Sequence, residues 1–217
     1  MRKHHNNITD ILFDLGNVLV PFDWGKAFSR LLPMLPQRFG KLLSEDEETF
    51  KDLFHQHVLA MEIGEIDFED FQMRMSSILG VDLTFDSFRR IWCDIFWMDD
   101  EMVSLGEFLS SHYCTWLLSN TCKAHYEWII QHFPRVTFFR GAALSFDLGV
   151  MKPSLAFYEK AIKMFGIDPS CAVFIDDLRE NVEGAISAGM NGVVFTGRAQ
   201  LIQDLRSLGV NFLNDLE

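Results

Sequence analysis

The chain has 217 residues, 48% of them hydrophobic, and a formal net charge of −12 at pH 7. This length accommodates one large domain, or a domain with a smaller insert, and supplies enough apolar side chains for a buried core. Lys and Arg are nowhere dense enough to contact a row of phosphates, and no apolar run approaches the ~20 residues that span a bilayer. The composition therefore predicts neither a nucleic-acid partner nor a membrane segment.

The N-terminal residues and the cysteines bear on location and metal binding. Residues 1–10 are polar and lack the apolar stretch of a signal peptide, which favours a cytoplasmic protein. The four cysteines are too widely spaced for a disulfide framework or a zinc site. Cys122 and His125 would share one helix face, but two ligands do not make a metal site, so packing is the favoured interpretation.

The first half of the chain predicts one strand followed by helices. The apolar run at residues 11–13 indicates a buried strand that ends at Asp14. From about residue 22 to residue 93, apolar side chains recur at three- and four-residue steps, which is typical of helices. Within this stretch, Asp67 is expected to cap a helix over Phe68–Leu79.

The second half alternates strands and helices. Strands are predicted over residues 113–118, 141–144, 172–175 and 193–195, and helices over 101–111, 122–133, 155–165, 181–188 and 199–208. These strands are too apolar for a sheet with one face in water, so a parallel sheet covered on both faces is expected. The sequence thus indicates an α/β core with a helical insert.

Polar residues end or follow the first four predicted strands, where ligands of open α/β sheets bind. These residues are Asp14, Ser119, Asn120, Lys152, Asp176 and Asp177. Any one of them is compatible with an ordinary helix cap or turn, but the repetition over four strands favours a site. Carboxylate oxygens suit Mg²⁺, and phosphoryl transfer needs a nucleophile, a divalent cation and fixed donors.

The residue types suggest a role for each strand end. Asp14 can attack phosphorus as a covalent nucleophile, while Ser119 and Lys152 would hold the transferring group. The tetrapeptide Phe-Asp-Leu-Gly occurs at residues 13–16 and again at 146–149. Only the first copy directly follows a predicted strand, and the second is expected in a loop, so Asp147 is not expected to take part in catalysis.

The four strand-end segments resemble the motifs of the haloacid dehalogenase-like (HAD) hydrolases. They are Asp-Leu-Gly-Asn-Val-Leu at 14–19, Leu-Ser-Asn-Thr at 118–121, Met-Lys-Pro at 151–153 and Phe-Ile-Asp-Asp at 174–177. The resemblance spans nearly the whole chain and implies a Rossmann-like parallel sheet core, residues 1–20 and 98–217, with helices on both faces. Residues 21–97 fall where subclass I carries its inserted α-helical cap. Bacterial sugar-phosphate phosphatases have a similar first motif.

The resemblance also implies a role for each carboxylate. Asp14 corresponds to the nucleophile and a Mg²⁺ ligand, and the backbone carbonyl of Gly16 to a second ligand. Asp177 corresponds to the direct acidic ligand, and Asp176 to a residue that supports the metal through water or neighbouring contacts. The implied enzyme is a Mg²⁺-dependent phosphoric monoester hydrolase.

The phosphate-binding residues follow from the same resemblance. Ser119, the backbone at Asn120 and Lys152 would bind the phosphoryl group, with Lys152 bridging Asp14 and phosphate. The cap would select the substrate, a small phosphorylated metabolite with sugar phosphates as the indicated class. Oligomeric state is left open.

One position departs from the family's pattern. HAD phosphatases usually carry a second aspartate two residues after the nucleophile, as acid and base, and this chain has Gly16 there. Such proton transfer is worth ~10²–10⁴ in rate, so turnover should be slower or the proton work done by substrate, water or another side chain. Two alternatives stay open: a catalytically weak binding or regulatory protein, and a metal-independent 2-haloacid dehalogenase, which the pair Asp176 and Asp177 disfavours.

Overall fold

A computed structural model describes residues 7–211, and within them five parallel strands form a single sheet. The strand order is β3-β2-β1-β4-β5. The strands are β1 Asp10–Phe13, β2 Cys114–Ser119, β3 Ala142–Leu144, β4 Ala172–Asp176 and β5 Asn191–Val194. Because β1 lies between β2 and β4, the carboxyl ends of these three strands are neighbours. Residues 1–6 of the polar N-terminal segment lie outside the described residues.

Twelve α-helices surround or extend from this sheet in the described part of the chain. Between β1 and β2 lie α1 Trp24–Leu31, α2 Gln37–Glu45, α3 Glu47–Asp52, α4 His55–Glu62, α5 Phe68–Leu79, α6 Phe85–Cys93 and α7 Asp100–Ser110. After β2 follow α8 Lys123–His132, α9 Ser145–Leu148, α10 Leu155–Phe165, α11 Arg179–Ser187 and α12 Arg198–Ser207. Short 3₁₀ helices cover Leu32–Met34, Pro134–Thr137 and Pro169–Cys171.

Both faces of the sheet are covered, as the apolar strands predict. On β1, Ile11 and Phe13 pack into a cluster with side chains of α7 and α12, whereas Leu12 packs on the opposite face with side chains of α10 and α11. All four residues of β1 and all five of β4 are buried. The predicted α/β fold with a parallel sheet and an inserted helical cap is therefore confirmed.

Helices α1–α6, which we call the cap, share an apolar cluster rich in phenylalanine, to which Cys122 and Ala124 at the start of α8 also contribute. The predicted helix start is confirmed, because the Asp67 carboxylate accepts the backbone N–H of Asp70 at 2.8 Å. The two connecting segments that lead into and out of the cap are paired by an isolated antiparallel bridge between Phe22 and Phe96. The proposed boundaries, 1–20 with 98–217 and 21–97, remain a prediction.

One predicted loop is wrong. The second Phe-Asp-Leu-Gly copy lies largely in α9, which ends at Gly149 in the left-handed conformation, with φ 66°. The Gly149 N–H donates to the Ser145 carbonyl at 2.9 Å and closes this single turn. A four-residue helix is too short to show apolar periodicity, so the pattern alone could not identify it. Among residues 7–211, no helix is long and apolar enough to cross a membrane.

Candidate active site

Asp14 lies directly after the central strand β1, between the ends of the two neighbouring strands. Its backbone N–H donates to the Ile175 carbonyl at 2.8 Å and so continues the pairing with β4. The carboxylate Oδ1 accepts the Leu15 N–H at 2.7 Å and lies 2.8 Å from Lys152 Nζ. The side chain is thereby held at the sheet edge, with Oδ2 without a hydrogen-bond partner among residues 7–211.

Lys152 connects three strand ends and is almost completely buried. Its Nζ lies 2.8 Å from Asp14 Oδ1 and donates to Asp176 Oδ2 at 2.7 Å and to the Leu118 carbonyl at 3.1 Å. The side chain of Asn120 fixes the lysine's backbone by donating to its carbonyl at 2.9 Å and accepting its N–H at 2.8 Å. These two hydrogen bonds join the loops that follow β2 and β3, and they fix the position of the lysine whose ammonium group contacts Asp14 and Asp176.

The two carboxylates after β4 have different environments. Asp176 is fully buried, and its oxygens accept the Leu178 N–H at 2.8 Å and the Asn181 side-chain amide at 3.1 and 3.0 Å. Asp177 is partly buried, and its Oδ2 accepts the Asn17 side-chain amide at 3.0 Å. Asn17 has a positive φ of 54°, a conformation that asparagine tolerates better than most residues.

The site carries more negative than positive charge. Carboxylate oxygens of Asp14, Asp176 and Asp177 lie within 4.8 Å of one another, and Lys152 is the cation in contact with two of them. Burial raises the pKa of Asp14, and the charge of Asp176 adds to this while Lys152 opposes it. Burial alone would lower the pKa of Lys152, but Asp14 and Asp176 outweigh it and the net shift is upward. Ionised carboxylates here leave a surplus of negative charge.

These donors fit Mg²⁺. All are oxygens, the ligands that Mg²⁺ prefers, and a divalent cation would neutralise the surplus charge. Asp14 and Asp177 each keep one carboxylate oxygen without a hydrogen-bond partner in the described chain. Both oxygens of Asp176 already accept hydrogen bonds, and its indirect role at the metal stays a prediction. The Gly16 carbonyl belongs to the adjoining loop and could add a further ligand.

Ser119 ends β2 at the bottom of a cavity of about 110 Å³ between the core and the cap. Gly16 and Asn120 line the same cavity. No hydrogen-bond partner of the Ser119 hydroxyl is present within residues 7–211, so this group is available to a ligand. Ser145 fixes the loop that follows β2, because its Oγ accepts the Thr121 N–H at 2.9 Å and donates to the Thr121 carbonyl at 3.0 Å.

Larger space exists elsewhere, but it is not adjacent to the carboxylates. A cavity of about 490 Å³ lies between α5 and α6 of the cap and the start of α8. Its lining includes Phe68, Arg89 and Lys123 and none of the predicted site residues. Size alone would therefore select the wrong location for the chemistry.

Two further predictions can be compared with the structure. Asp147 is exposed on α9, apart from the three grouped carboxylates. Cys122 accepts the His125 N–H at the start of α8, at 3.5 Å, and the imidazole is buried near the rings of Trp24 and Phe96. These surroundings agree with packing rather than metal binding.

Sequence reasoning missed the two asparagines that hold the carboxylates. Asn181 is in the first turn of α11, where its amide reaches back to the end of β4. Its position five residues after Asp176, just inside a helix that follows a strand, is the only sequence signal for this role. No local sequence pattern predicted the role of Asn17, because its partner Asp177 lies 160 residues away in the sequence.

Residues 11–189 match the haloacid dehalogenase-like hydrolase family. With the sheet, the inserted cap and the strand-end carboxylates described above, the chain belongs to the HAD-like hydrolases. It is 28% identical over 184 residues to the D-ribitol-5-phosphate phosphatase of Bacteroides thetaiotaomicron, covering 81% of this chain and 85% of that protein. The expected superfamily and hydrolase class are confirmed.

Solved structures agree with this assignment. A HAD family enzyme from Bacteroides thetaiotaomicron superposes with a TM-score of 0.75 at 25% identity, over 89% of this chain and 95% of that one. The wild-type form of that enzyme, in complex with magnesium and inorganic phosphate, gives a TM-score of 0.73 at 26% identity, over 89% and 96% of the two chains. A HAD-like hydrolase from Porphyromonas gingivalis, at 24% identity and covering 94% and 99%, shares the fold with a TM-score of 0.76.

Proposed function

We propose that this protein is a Mg²⁺-dependent phosphohydrolase that cleaves a small phosphorylated metabolite through an aspartyl-phosphate at Asp14. The observation that carries the proposal is the convergence of three carboxylates within 4.8 Å, two of them joined by the buried ammonium of Lys152. A structural ion pair needs no third carboxylate beside it, and surplus negative charge at a sheet edge is costly unless a cation is bound. Phosphoryl transfer uses such a site.

The first half of the reaction transfers the phosphoryl group to the protein. A carboxylate oxygen of Asp14 forms a bond to phosphorus, and the bond from phosphorus to the leaving oxygen of the substrate breaks. The Lys152 ammonium and the Ser119 hydroxyl hold the phosphoryl oxygens, and the leaving oxygen takes up a proton. Mg²⁺ held by Asp14, Asp177 and the Gly16 carbonyl would neutralise charge on the phosphate.

The second half restores the carboxylate. A water molecule attacks phosphorus and loses a proton, and the bond between phosphorus and the Asp14 oxygen breaks to release inorganic phosphate. Lys152 stays paired with Asp176 throughout and keeps a positive charge beside the reacting oxygens. The three contacts of its Nζ leave it little freedom, so its charge needs no reorganisation during the reaction.

Sugar phosphates are the proposed substrate class. The cavity beside Ser119 has a volume of about 110 Å³, and Asn120 and Thr121 add polar side chains to its lining. The relative from Bacteroides thetaiotaomicron bears the name D-ribitol-5-phosphate phosphatase, which supports a phosphorylated polyol or sugar. The apolar side of the cavity, with Phe22 and Phe96, would cover the carbon chain of the substrate.

Phosphate release tests the proposal. We would assay p-nitrophenyl phosphate and a panel of sugar and polyol phosphates, including D-ribitol 5-phosphate, with Mg²⁺ and with EDTA. Asp14→Asn should abolish turnover. Asp147→Asn is the matched control, because it changes the aspartate of the second, exposed Phe-Asp-Leu-Gly copy and should leave activity unchanged.

Trapping distinguishes the covalent route. Acid quenching during turnover should leave phosphate bound to the wild-type protein and to the Asp147→Asn variant, but not to Asp14→Asn. Turnover that persists in Asp14→Asn, or that is unaffected by EDTA, would contradict the mechanism. Absence of turnover on every substrate would favour the alternative of a binding or regulatory protein.

A further inference from the structure

The position that usually carries the second aspartate is tightly enclosed. A Cβ at Gly16 would lie 3.1 Å from Cε1 of Phe22, which is tighter than ordinary contacts allow. The Phe22 ring in turn packs against Phe96 at the junction of cap and core, with ring centroids 6.0 Å apart. Since Gly16 itself has no acidic group, an acid for the leaving group has to come from another residue of the cavity.

Glu62, the last residue of α4, is the only carboxylate among the residues that line the cavity beside Ser119 and Gly16. It is partly buried, and within residues 7–211 no hydrogen bond or ion pair to its carboxylate is found. Phe22 and Trp24 line the cap side of the same cavity. A partly buried carboxylate without a partner is costly while ionised, so structural stability does not explain its presence.

The end of α4 is placed against the core by a glycine. Gly64 has a positive φ of 74°, and a Cβ there would overlap the carbonyl oxygen of Phe146 on α9. Only glycine permits both this conformation and this close approach. Since Glu62 lies two residues before Gly64, the same contact sets its distance from the cavity.

The protonation of Glu62 suits proton transfer near neutral pH. Burial raises the pKa of this carboxyl to about 7, so that both the acid and the base forms are populated. A group that gives a proton in one step and takes one in the next works best when its pKa is near the working pH. An ordinary exposed glutamate, with a pKa of about 4.3, would rarely hold a proton to give.

The other titratable groups around Glu62 are less suitable. His125 lines the same cavity, but burial lowers its pKa to about 4, and its Nε2 is directed to the Trp92 carbonyl at 3.2 Å. The Cys122 thiol is buried, which raises its pKa to about 12, with the charge of Glu62 acting in the same direction. The acidic residues at the start of α5 and on α9, the two helices packed near the end of α4, are exposed: they are Asp67, Glu69, Asp70 and Asp147.

We propose that Glu62 is the general acid and base of this hydrolase, in place of the aspartate that Gly16 lacks. In the first step the protonated carboxyl gives its proton to the leaving oxygen as the bond to phosphorus breaks. In the second step the resulting carboxylate takes a proton from the attacking water, which restores the acid. The inference rests on the proposed function, because it assigns the two proton transfers of that reaction.

Glu62→Gln tests the assignment, with Glu65→Gln as the matched control. Glutamine keeps the shape of glutamate but cannot transfer the proton, and Glu65 is an exposed glutamate three residues further on. We would measure kcat/KM for an alkyl phosphate, whose leaving group needs a proton, and for p-nitrophenyl phosphate, whose leaving group does not. A pre-steady-state record of p-nitrophenol release would follow the second step.

The expected result is selective. Glu62→Gln should lower kcat/KM for the alkyl phosphate by ~10²–10⁴ and that for p-nitrophenyl phosphate far less. A burst of p-nitrophenol should appear, because hydrolysis of the phosphoenzyme loses its base. The decline of wild-type kcat/KM for the alkyl phosphate above pH about 7 should be absent in the variant. Glu65→Gln should behave as wild type in all three measurements.

Other outcomes overturn the assignment. Unchanged alkyl phosphatase activity in Glu62→Gln would exclude Glu62 while the proposed function stands. An equal loss on both substrates, with no burst and an unaltered pH profile, would show that Glu62 only supports the cap. A wild-type protein as inactive as Asp14→Asn would refute the proposed function, and the role of Glu62 with it. Thermal unfolding of each variant confirms that folded protein is compared.

Discussion

Replacement of Lys152 by methionine should expose the charge imbalance of the site. Methionine has a similar length but no charge, so the variant would leave two carboxylates without the cation that lies 2.8 Å from Asp14 and 2.7 Å from Asp176. The Leu118 carbonyl would also lose its donor at 3.1 Å. The lysine side chain is 1% exposed, so water cannot readily take its place.

The loss of stability can be calculated, because the folded variant can relieve the unpaired charge at the lowest free-energy cost by protonating one carboxylate. For a carboxyl with an unfolded-state pKa of about 3.9, holding a proton at pH 7 costs about 4 kcal/mol, and at pH 5 about 1.5 kcal/mol. Breaking a buried ion pair typically costs about 3–5 kcal/mol, which agrees with the first value. We therefore expect Lys152→Met to be less stable than wild type by about 4 kcal/mol at pH 7.

The sign of the pH dependence is fixed by the same reasoning. The carboxyl that stays protonated in the folded variant has a pKa above its unfolded value, so its contribution to stability is present at low pH and lost as pH rises. The difference between Lys152→Met and wild type should accordingly shrink from pH 7 to pH 5, by at most about 2–3 kcal/mol, because the pKa of Asp14 is raised in the wild type as well. Urea unfolding in EDTA, followed by circular dichroism at both pH values, measures this difference.

A double-mutant cycle supplies the control. Asp14→Asn alone leaves Lys152 paired with Asp176, and in the Lys152→Met background it removes one of the two unpaired charges. The two changes should therefore be coupled by about 1–3 kcal/mol, with the double variant more stable than additivity predicts. Equal destabilisation at both pH values, or additive effects of the two substitutions, would refute the charge-imbalance argument.

Three further predictions follow from the structure. Asp177→Asn should weaken Mg²⁺ binding by at least about tenfold in isothermal titration calorimetry without loss of fold, and unchanged affinity would exclude it as a ligand. Gly80→Ala should cost about 1–2 kcal/mol, because Gly80 has a positive φ. Gly64→Ala should cost more than Gly80→Ala and should also lower kcat/KM, because its Cβ would in addition overlap the Phe146 carbonyl oxygen. Burial lowers the pKa of His125 to about 4, so the stability it contributes is present above pH about 6.5 and lost towards pH 4. In urea unfolding, His125→Asn should reduce the loss of stability between pH 6.5 and pH 4 by about 3 kcal/mol. An unchanged loss of stability over this pH range would show that His125 is not its cause.

The sheet and the site edge were largely predictable from local sequence. Strands β1 and β4 are buried on both faces, so residues 11–13 and 172–175 form continuous apolar runs, each followed at once by an aspartate at the sheet edge. Because parallel strands place their carboxyl ends at one edge, residues as distant as Asp14 and Asp177 could be expected together. The structure brings them there, although their chemical roles remain predictions.

Other features depend on contacts that no local pattern reports. The four-residue helix α9 has no periodicity, and Asn17 gains its role only by contact with Asp177 across the sheet edge. Glu62 is one of many polar residues in the cap helices, and its burial follows from where the cap meets the core. That meeting point depends on the approach of Gly64 to Phe146, which a sequence pattern does not encode.

The arrangement separates two kinds of chemistry between two parts of the chain. The carboxylates and Lys152 lie on the rigid sheet edge, where fixed charges stabilise a phosphoryl group without reorganisation. On the proposed assignment the proton carrier, Glu62, belongs to the cap and completes the site only where the cap meets the core. Proton transfer would then depend on the same contact that covers the substrate, so that a poorly enclosed substrate would lack its acid. On this assignment the junction at Gly64, rather than the sheet edge, would be the place where substrate selection and rate are linked.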